Sequence, residues 1–547
     1  MSQSIDIRTQ TYGAVLDSAH LGDIEGALGT IYQHDSRPRS TWKRRLATLL
    51  AIIGPGLIVM VGDNDAGAFA TYTQAGQNYG TTLLWSLLLL VPVLYVNQEM
   101  VLRLGAVTGV GHARLILERF GKFWGAFSVI DLFLLNALTI VTEFIGISLA
   151  LNYLGISKLD GITVAAFLTV IGASTGNFRR FERFALALCF GSLLLVPLFL
   201  LAHPPMGQIA HDLTVPALPG GKLSDIMLLL IGLVGTTIAP WQLFFQQSYV
   251  IDKRITPRFI RYERVDLWIG IAVVLVGAIA LMACAAAAFA GTPEFGNFTD
   301  AGGVAAGLAK HIGPTAGVLF ALALIDASVI GASAVSLATA YAIGDVMAVR
   351  HSLHRKPTDA IGFYMVYAGL IAVAAALVVI PGVPLGLLTL AVQVLAGVLL
   401  PSATVFLLLL CNDRAVLGPW VNGRWLNLFT GAVIAALVVL SVILTAAVLY
   451  PDISDAAIMR ILVGGAVLSL IVAGIALLLR RKPEPPLGTD GTNDTDRQTW
   501  RMPPLALLPP ARLTLAKRVW LGVLRFYLVL ASIMVVVRVV QITLGQS

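Results

Sequence analysis

Residues 54–80 read GPGLIVMVGDNDAGAFATYTQAGQNYG, and this stretch decides the fold. It begins as an apolar helix but carries Asp63 and Asp65 at the depth where a spanning helix contacts lipid. Because a charged side chain at the bilayer centre costs at least about 2.5 kcal/mol on insertion scales, such acids persist only where they face protein, water or an ion. Gly62 and Gly67 flank the acids and let the backbone leave helical geometry, so that freed carbonyls can point at a ligand. The stretch therefore predicts a cation site at a broken membrane helix.

The composition places the whole chain in a membrane. Its 547 residues are 57% hydrophobic and 12% charged, with a mean hydropathy of +0.84, whereas a soluble domain has about 25% charged residues. The formal charge of +7 does not indicate nucleic-acid binding, since the basic residues lie in short loops between apolar runs, where they set topology. Cys189, Cys284 and Cys411 are isolated, so neither a zinc site nor a disulfide framework is predicted, and no cofactor is expected.

Twelve apolar runs are candidates to cross a hydrocarbon core of about 30 Å, which takes about 20 helical residues. They lie at 46–78, 81–103, 124–151, 161–176, 184–202, 223–250, 266–291, 314–347, 359–380, 384–411, 425–449 and 457–479. A thirteenth candidate lies at 518–541, where Arg525 and Arg538 leave both a spanning and an interfacial helix open.

Positive charge alternates between successive loops. Loops rich in Lys and Arg precede the first span and follow the even-numbered spans, whereas the intervening loops hold few basic residues. Since cytosolic loops carry an excess of Lys and Arg, both ends of the twelve-span region are predicted to lie in the cytosol. The first 40 residues are polar and contain no signal-peptide pattern, so we expect a multi-pass protein of the plasma or inner membrane with a cytosolic N-terminus.

Composition divides the chain into five parts. They are a cytosolic N-terminal segment, a region of ten apolar runs, two further spans, a Pro- and Gly-rich linker predicted to be disordered, and a further spanning or interfacial helix. Their predicted boundaries are 1–42, 43–411, 412–480, 481–514 and 515–547.

The sixth span is interrupted in the same way as the first. Its sequence at 235–242 is GTTIAPWQ, in which Gly235 and Pro240 break an apolar run. Two interrupted helices five spans apart are typical of inverted-repeat transporters, whose substrate site lies between them near the bilayer midplane. The pattern predicts a core of ten helices in two inverted halves, with two or three accessory helices.

These residues resemble the Nramp family of divalent-metal transporters. The family pattern Asp-Pro-Gly-Asn in the first helix corresponds to residues 65–68, and Met-Pro-His-Asn in the sixth corresponds to 239–242. The resemblance extends to TEFIGISLALNYL at 142–154 and to VQVLAGVLLPSATVFLLLLCNDRAVLG at 392–418, and covers most of residues 45–450. It implies an all-α polytopic membrane protein with the LeuT-type 5+5 inverted repeat and broken helices 1 and 6.

Two departures from the family pattern bear on the cargo. The family's Asn and Met, an amide oxygen and a thioether, are replaced by Ala68 and Ala239. Thioethers select soft or borderline metals, whereas oxygen ligands suit Mg²⁺, Ca²⁺ and Mn²⁺. Mg²⁺ keeps several waters and takes only one or two carboxylates, which suits a site widened by two alanines. The pattern, GDNDAGAF in particular, resembles the Nramp-related magnesium transporters, a divergent branch of the family.

The resemblance assigns roles to residues at both breaks. It implies that Asp65 binds the ion directly or through water, that Thr236 and Gly62 offer backbone carbonyls, and that Gln393 approaches the ion. Gln242 either supports the site from behind or bonds to freed backbone, and Asp63 either touches the ion or faces an aqueous vestibule. The candidate metal-binding positions are Asp65, Thr236, Gln393, Gly62, Ala68, Ala239, Gln242 and Asp63.

Proton coupling is not expected. Where proton-coupled members of the family carry two histidines and an aspartate, this chain has Trp241, Gln246 and Ile140, although Glu143 remains. All eight histidines are predicted to lie in loops or at span ends, and histidine is the side chain best suited to titrate near neutral pH. The interpretation is a facilitative pathway driven by the ion gradient and the membrane potential, which supplies about 2.3 kcal/mol per charge per 100 mV.

Two further acids within spans are candidate ancillary residues. Glu143 either assists the ion or a proton, or pairs with backbone at the broken helix. Asp326 lies among small residues of the eighth span and either faces the permeation route or packs between helices.

Other functions are less well matched by the sequence. A proton-coupled manganese or iron transporter of the same family is the main alternative. An organic-solute carrier would present a positive group to a substrate carboxylate, whereas these breaks carry acids, and twin broken helices favour alternating access over a channel. No enzyme motif occurs in any loop, so we do not expect an enzyme. We also expect the protein to act as a monomer, with a divalent metal ion and the lipid bilayer as its partners.

Overall fold

The computed structural model describes residues 14–35, 37–380, 385–449, 453–478 and 494–509, with 511, 521, 522 and 529 as isolated positions. Apart from one two-stranded hairpin, the regular structure of these residues is helical. The α-helices are α1 Trp42–Ile52, α2 Pro55–Val61, α3 Ala66–Tyr79, α4 Leu84–Thr108, α5 His112–Phe120, α6 Lys122–Tyr153, α7 Lys158–Ala173, α8 Phe178–Gly191, α9 Leu195–Ala202, α10 Met206–Thr214, α11 Leu223–Thr237, α12 Pro240–Asp252, α13 Ile260–Phe289, α14 Ala301–His311, α15 Pro314–Met347, α16 Ile361–Val379, α17 Leu385–Cys411, α18 Arg414–Leu417, α19 Arg424–Leu449, α20 Asp455–Leu478 and α21 Asp494–Thr499. Strands β1 Ile24–Gly26 and β2 Gly29–Ile31 pair antiparallel, with Ile24 opposite Ile31.

The described residues contain ten helical segments that are long and apolar enough to cross a membrane, and one of them, Leu223–Asp252, holds both α11 and α12. The number becomes eleven if α1 and α2, which meet at 51°, count as one broken span. The predicted fourth span corresponds to α7, whose sixteen residues fall short of a full crossing. The predicted first span, 46–78, is divided into α1, α2 and α3, and the sixth into α11 and α12. The predicted helical polytopic fold is therefore confirmed. The spanning or interfacial helix predicted at 515–547 lies outside the described residues, apart from the isolated positions 521, 522 and 529.

The core forms where the broken helices pack against long continuous ones. Helix α13 packs along α2 and α3, α11 packs along α17, and α12 packs along α4. Small residues allow these close approaches: a Cβ on Gly146 of α6 would lie 2.5 Å from the Cβ of Ala66 and 2.7 Å from Oγ of Ser328 on α15. Helix α19 packs on α11 and α17, outside the broken pair.

The loops collect on two faces in the alternation that the charge pattern predicts. We call the face that carries residues 14–35 the N-terminal face. Arg254 and Arg258, which follow the sixth span, and Arg355, which follows the eighth, all bond to that segment. On the opposite face the Gln77 amide donates to the Glu294 carbonyl, so that loops after the first and seventh spans meet there.

Part of the predicted disordered linker is ordered. Residues 494–509 lie on the N-terminal face, where Met502 is fully buried, donates its N–H to the Val107 carbonyl and accepts from the Ala14 N–H. The Trp420 indole N–H donates to the Arg497 backbone carbonyl at 2.9 Å. The prediction was wrong here because the low average hydrophobicity of 481–514 conceals a few apolar residues that are sufficient to anchor the segment. The rest of the linker, including residues 481–493, lies outside the described residues.

A histidine pair joins the N-terminal segment to the loop after α15. His20 Nε2 lies 3.1 Å from the His351 carbonyl oxygen, and His351 Nε2 lies 3.0 Å from Asp345 Oδ1. Asp17 accepts bonds from the His351 N–H and the Arg355 guanidinium. Burial lowers the pKa of His351, but the Asp345 carboxylate outweighs burial and raises it to about 9.

The His351 pair should make stability depend on alkaline pH. Because the pKa of His351 is raised above its ordinary 6.5, its contribution is fully present below about pH 6.5 and is lost as pH rises through about 9. We expect the melting temperature of the wild type to fall more steeply between about pH 7 and 10 than that of His351→Gln, measured by tryptophan fluorescence in detergent. Parallel curves for the two proteins would contradict this assignment.

Candidate cation site

The first span breaks between Val61 and Ala66, as predicted. Helix α2 ends at Gly62, and α3 begins with Asp65 as its N-cap, whose Oδ1 accepts the Ala68 N–H at 2.8 Å. A carboxylate at this end of a helix is stabilised by the unpaired N–H groups and by the helix dipole. Asp65 is 4% exposed, so its negative charge is held at the break by backbone amides and is turned away from lipid.

The second break frees a carbonyl through a proline. Helix α11 ends at Thr237, Ile238 adopts φ −135° and ψ 75°, and Pro240 opens α12. In a continuous helix the Thr236 carbonyl would accept from residue 240, but proline has no N–H to donate. The Thr236 hydroxyl is buried and also has no hydrogen-bond partner. Both oxygens of Thr236 are therefore available to a cation or its water.

Glu143 frees a second carbonyl at the first break. Its Oε2 accepts the Ala66 N–H at 3.1 Å, which in a continuous helix would bond to the Gly62 carbonyl. Its Oε1 has no partner, and its carboxyl group also interacts with that of Asp65. Of the two predicted roles, the structure shows the pairing with broken-helix backbone and places the unpartnered oxygen in the same buried region as Asp65.

Glycines let Gln393 of α17 reach both breaks. A Cβ on Gly67 would lie 1.7 Å from Gln393 Nε2, and a Cβ on Gly235 would lie 2.2 Å from the Gln393 backbone oxygen. A side chain at residue 67 would displace the Gln393 amide, and one at residue 235 would collide with the backbone of α17. The two broken helices and Gln393, far apart in sequence, thus meet at one place.

Asp63 belongs to a buried chain of side chains. Its Oδ1 accepts from Gln242 Nε2, and Gln242 Oε1 accepts from Gln98 Nε2 at 2.8 Å. Asp63 is 1% exposed and its Oδ2 has no partner. Asp63 therefore does not face an aqueous vestibule in this conformation, and Gln242 bonds to side chains and not to freed backbone.

The sequence analysis missed two residues of this region. Gln98 of α4 orients Gln242, and the Tyr72 hydroxyl lies 2.9 Å from Oγ1 of Thr237 beside the second break. An amide within the apolar run 81–103 was a usable signal for Gln98. Tyr72 had no such signal, because tyrosine is common in apolar helices.

Asp326 does not join the site. It is half-buried on α15, and a Cβ on Gly191 would lie 2.2 Å from its carboxyl atoms. It therefore faces the junction of α8 with the next turn, whereas Ser328 on the same helix lies on the side of Ala66. Of the two predicted roles of Asp326, its position matches packing between helices.

The donors at the two breaks are oxygens. Ala68 and Ala239 are buried and supply no side-chain ligand, and Met60 packs against Gly270 of α13. Among the described residues, no group of three or more His, Cys, Asp or Glu side chains forms a ready-made metal centre. Carboxylate and carbonyl oxygens in small number suit a hard divalent cation that retains part of its water.

Comparisons with known proteins agree with this architecture. Residues 56–447 match the family model described as Nramp, natural resistance-associated macrophage protein-like. The divalent metal cation transporter MntH of Ralstonia nicotianae is 31% identical over 403 residues, covering 70% of this chain and 87% of that protein. The divalent metal cation transporter MntH 1 of Pseudomonas aeruginosa is 29% identical over 401 residues, covering 70% and 88%.

A solved structure shows the same fold. The manganese transporter of Eremococcus coleocola superposes with a TM-score of 0.59 at 20% identity, covering 84% of this chain and 98% of that one. At this identity the likeness concerns the fold alone. It confirms the predicted LeuT-type architecture with its broken first and sixth helices.

Substituting Gly67 tests the role of Gln393. In Gly67→Ala the new Cβ would occupy the position of the Gln393 amide, so the glutamine must leave. We expect divalent-cation binding by titration calorimetry to weaken by about tenfold, roughly 1.4 kcal/mol for one lost polar contact. Gly232→Ala is the matched control, because its Cβ would meet nothing closer than 3.7 Å. Equal affinity in both variants would exclude Gln393 from the site.

Proposed function

This chain belongs to the Nramp family, and from that premise we propose that it transports divalent metal ions across the cell membrane by alternating access, with Mg²⁺ as its main cargo and Mn²⁺ as a second one. One chain supplies both breaks and Gln393, which supports function as a monomer. The N-terminal face carries the basic loops, which supports its assignment to the cytosol.

The donor set carries the proposal for Mg²⁺. Asp65 is the acid at the centre of the break, and the neighbouring donors include the freed carbonyls of Gly62 and Thr236 and the Thr236 hydroxyl. The positions at which the family places a thioether and an amide hold Ala239 and Ala68. Without sulfur, the site gives no advantage to soft or borderline metals over a hard cation.

The two alanines also favour a partly hydrated ion. Mg²⁺ exchanges its water reluctantly and normally binds through one or two carboxylates with several waters retained. Oδ2 of Asp63, Oγ1 of Thr236 and Oε1 of Glu143 are buried and unpartnered, so they can accept or donate bonds to such waters. The ion would then be recognised largely through its hydration shell.

The surroundings of the site support transport without protons. All eight histidines lie outside the ten spans, and Trp241, Gln246 and Ile140, which do not titrate, occupy the family's relay positions. The membrane potential would then drive entry, because a divalent ion gains about 4.6 kcal/mol per 100 mV.

Proton-coupled Mn²⁺ transport is the second candidate, and the Glu143–Asp65 contact favours it. The two carboxyl groups interact, and a carboxyl group can carry a proton that it exchanges for a cation. The manganese transporter of Eremococcus coleocola has the same fold. Measurement of proton movement separates the two candidates.

Ion uptake into proteoliposomes tests the cargo. We expect the wild type to carry Mg²⁺ at millimolar concentrations and Mn²⁺ as well, and Asp65→Asn to lose at least about 90% of both rates because the central charge is gone. Asp326→Asn is the control at a membrane acid outside the site and should keep most activity. Transport of Mn²⁺ alone, with no Mg²⁺ uptake, would refute the proposed cargo.

A pH dye inside the same vesicles tests coupling. We expect no internal acidification during Mg²⁺ entry, and equal uptake from external buffers at about pH 6 and 7.5, because the spans within the described residues contain no histidine. Acidification in step with uptake, abolished in Glu143→Gln, would instead establish the proton-coupled candidate.

A further inference from the structure

The kink between α1 and α2 is capped on one side by a buried lysine. Lys253, at the end of α12, donates from Nζ to the carbonyls of Ile52 at 2.6 Å and Ile53 at 2.8 Å. A cation suits the carbonyl end of a helix. The same ammonium group bonds to Glu182 Oε1 at 2.6 Å, and both side chains are fully buried.

A buried aspartate caps the other side of the kink. Asp266 of α13 accepts the N–H groups of Gly54, Gly56 and Leu57 at 3.2, 2.7 and 3.3 Å. These are the unpaired amides at the start of α2, where a carboxylate is favoured. Gly54 has φ 153°, which glycine alone adopts without strain. The short helix α2, which ends at the cation site, is thus fixed in angle by two opposite charges.

The β1–β2 hairpin is attached to this kink. Its Ala27 N–H donates to Glu182 Oε2 at 2.5 Å, while its Ala27 carbonyl accepts from Arg183 Nε at 3.1 Å. Gly26 lies so close to α1 that a Cβ there would be 2.0 Å from the Ala51 carbonyl oxygen. The hairpin therefore contacts α1 directly at Ala51. It also contacts Glu182, which in turn binds the Lys253 ammonium group at the kink.

The segment around the hairpin is bound to other elements of the N-terminal face. Arg254, just after α12, donates to the carbonyls of Ala19 and Asp23, and Arg355, after α15, bonds to Asp17. One short segment thereby links α1, α8, α12 and the loop after α15. Residues 14–55 lie outside the stretch 56–447 that matches the family model.

We propose that residues 14–35 act as an autoinhibitory clasp, in which the hairpin holds α1 and α2 closed and must leave Ala51 and Glu182 before the cation site can open to the N-terminal face. Helix α2 runs from the kink to Gly62 at the site, so opening the site toward that face would displace α2. The hairpin, wedged against α1 and bonded to Glu182, opposes this movement. The clasp rests on the proposed transport function and would set the rate of ion release.

The substitution Gly26→Val should detach the hairpin from α1, and it lies outside the residues of the candidate cation site. Its side chain would collide with the Ala51 backbone, whereas Leu28→Ala, at the exposed hairpin turn, is the matched control. Deletion of residues 1–35 serves as a second released variant. Hydrogen–deuterium exchange of the full chain in detergent, read in peptides spanning residues 52–58, reports on the kink without requiring transport.

We expect exchange at residues 52–58 to accelerate at least tenfold in both released variants and not in Leu28→Ala. Initial Mg²⁺ uptake should rise at least twofold with unchanged KM. Unchanged exchange in both released variants would refute the clasp, and faster exchange with equal or lower uptake would refute its autoinhibitory role. If no variant carries any ion, the transport function fails, while the exchange rates still decide whether the hairpin holds the kink.

Discussion

Charges inside this protein depend on the ends of interrupted helices. Asp65 accepts an N–H at the start of α3, Glu143 accepts the Ala66 N–H beside it, and Asp266 accepts three at the start of α2. Lys253 completes the pattern at the carbonyl end of α1. Lipid offers no hydrogen bonds, so acids at this depth need donors from the protein, and the interrupted helices supply backbone donors for Asp65, Glu143 and Asp266. The breaks and the buried charges therefore require each other.

The two breaks leave backbone carbonyls of the candidate cation site without their helical hydrogen-bond partners. Where Glu143 takes the Ala66 N–H, the Gly62 carbonyl loses its helical partner, and Pro240 leaves the Thr236 carbonyl in the same condition. Unpaired oxygens in a buried region are costly unless something binds them. A divalent ion with retained waters, as proposed for this site, would satisfy several of these oxygens at once.

Helix α2 connects the two charged regions. It has seven residues, about 10 Å of helix, with the caps of Lys253 and Asp266 at one end and Gly62 and Asp63 at the other. A rigid element this short transmits a change of angle from one end to the other. A movement of the N-terminal hairpin at the kink would therefore shift the end of α2 that lies at the candidate ion site.

The sequence by itself determined the helical class, both breaks, Asp65 between flanking glycines, and the alternation of loops. The free-energy cost of a charge in lipid and the loss of helical hydrogen bonds at Gly or Pro depend only on the local residue types. Only the tertiary structure decided which distant groups meet. It joined Gln98 and Gln242 to Asp63, turned Asp326 away from the site, ordered residues 494–509, and set Glu182 between the hairpin and Lys253. Such pairings depend on how helices cross in space, and residue spacing along one helix does not contain that information.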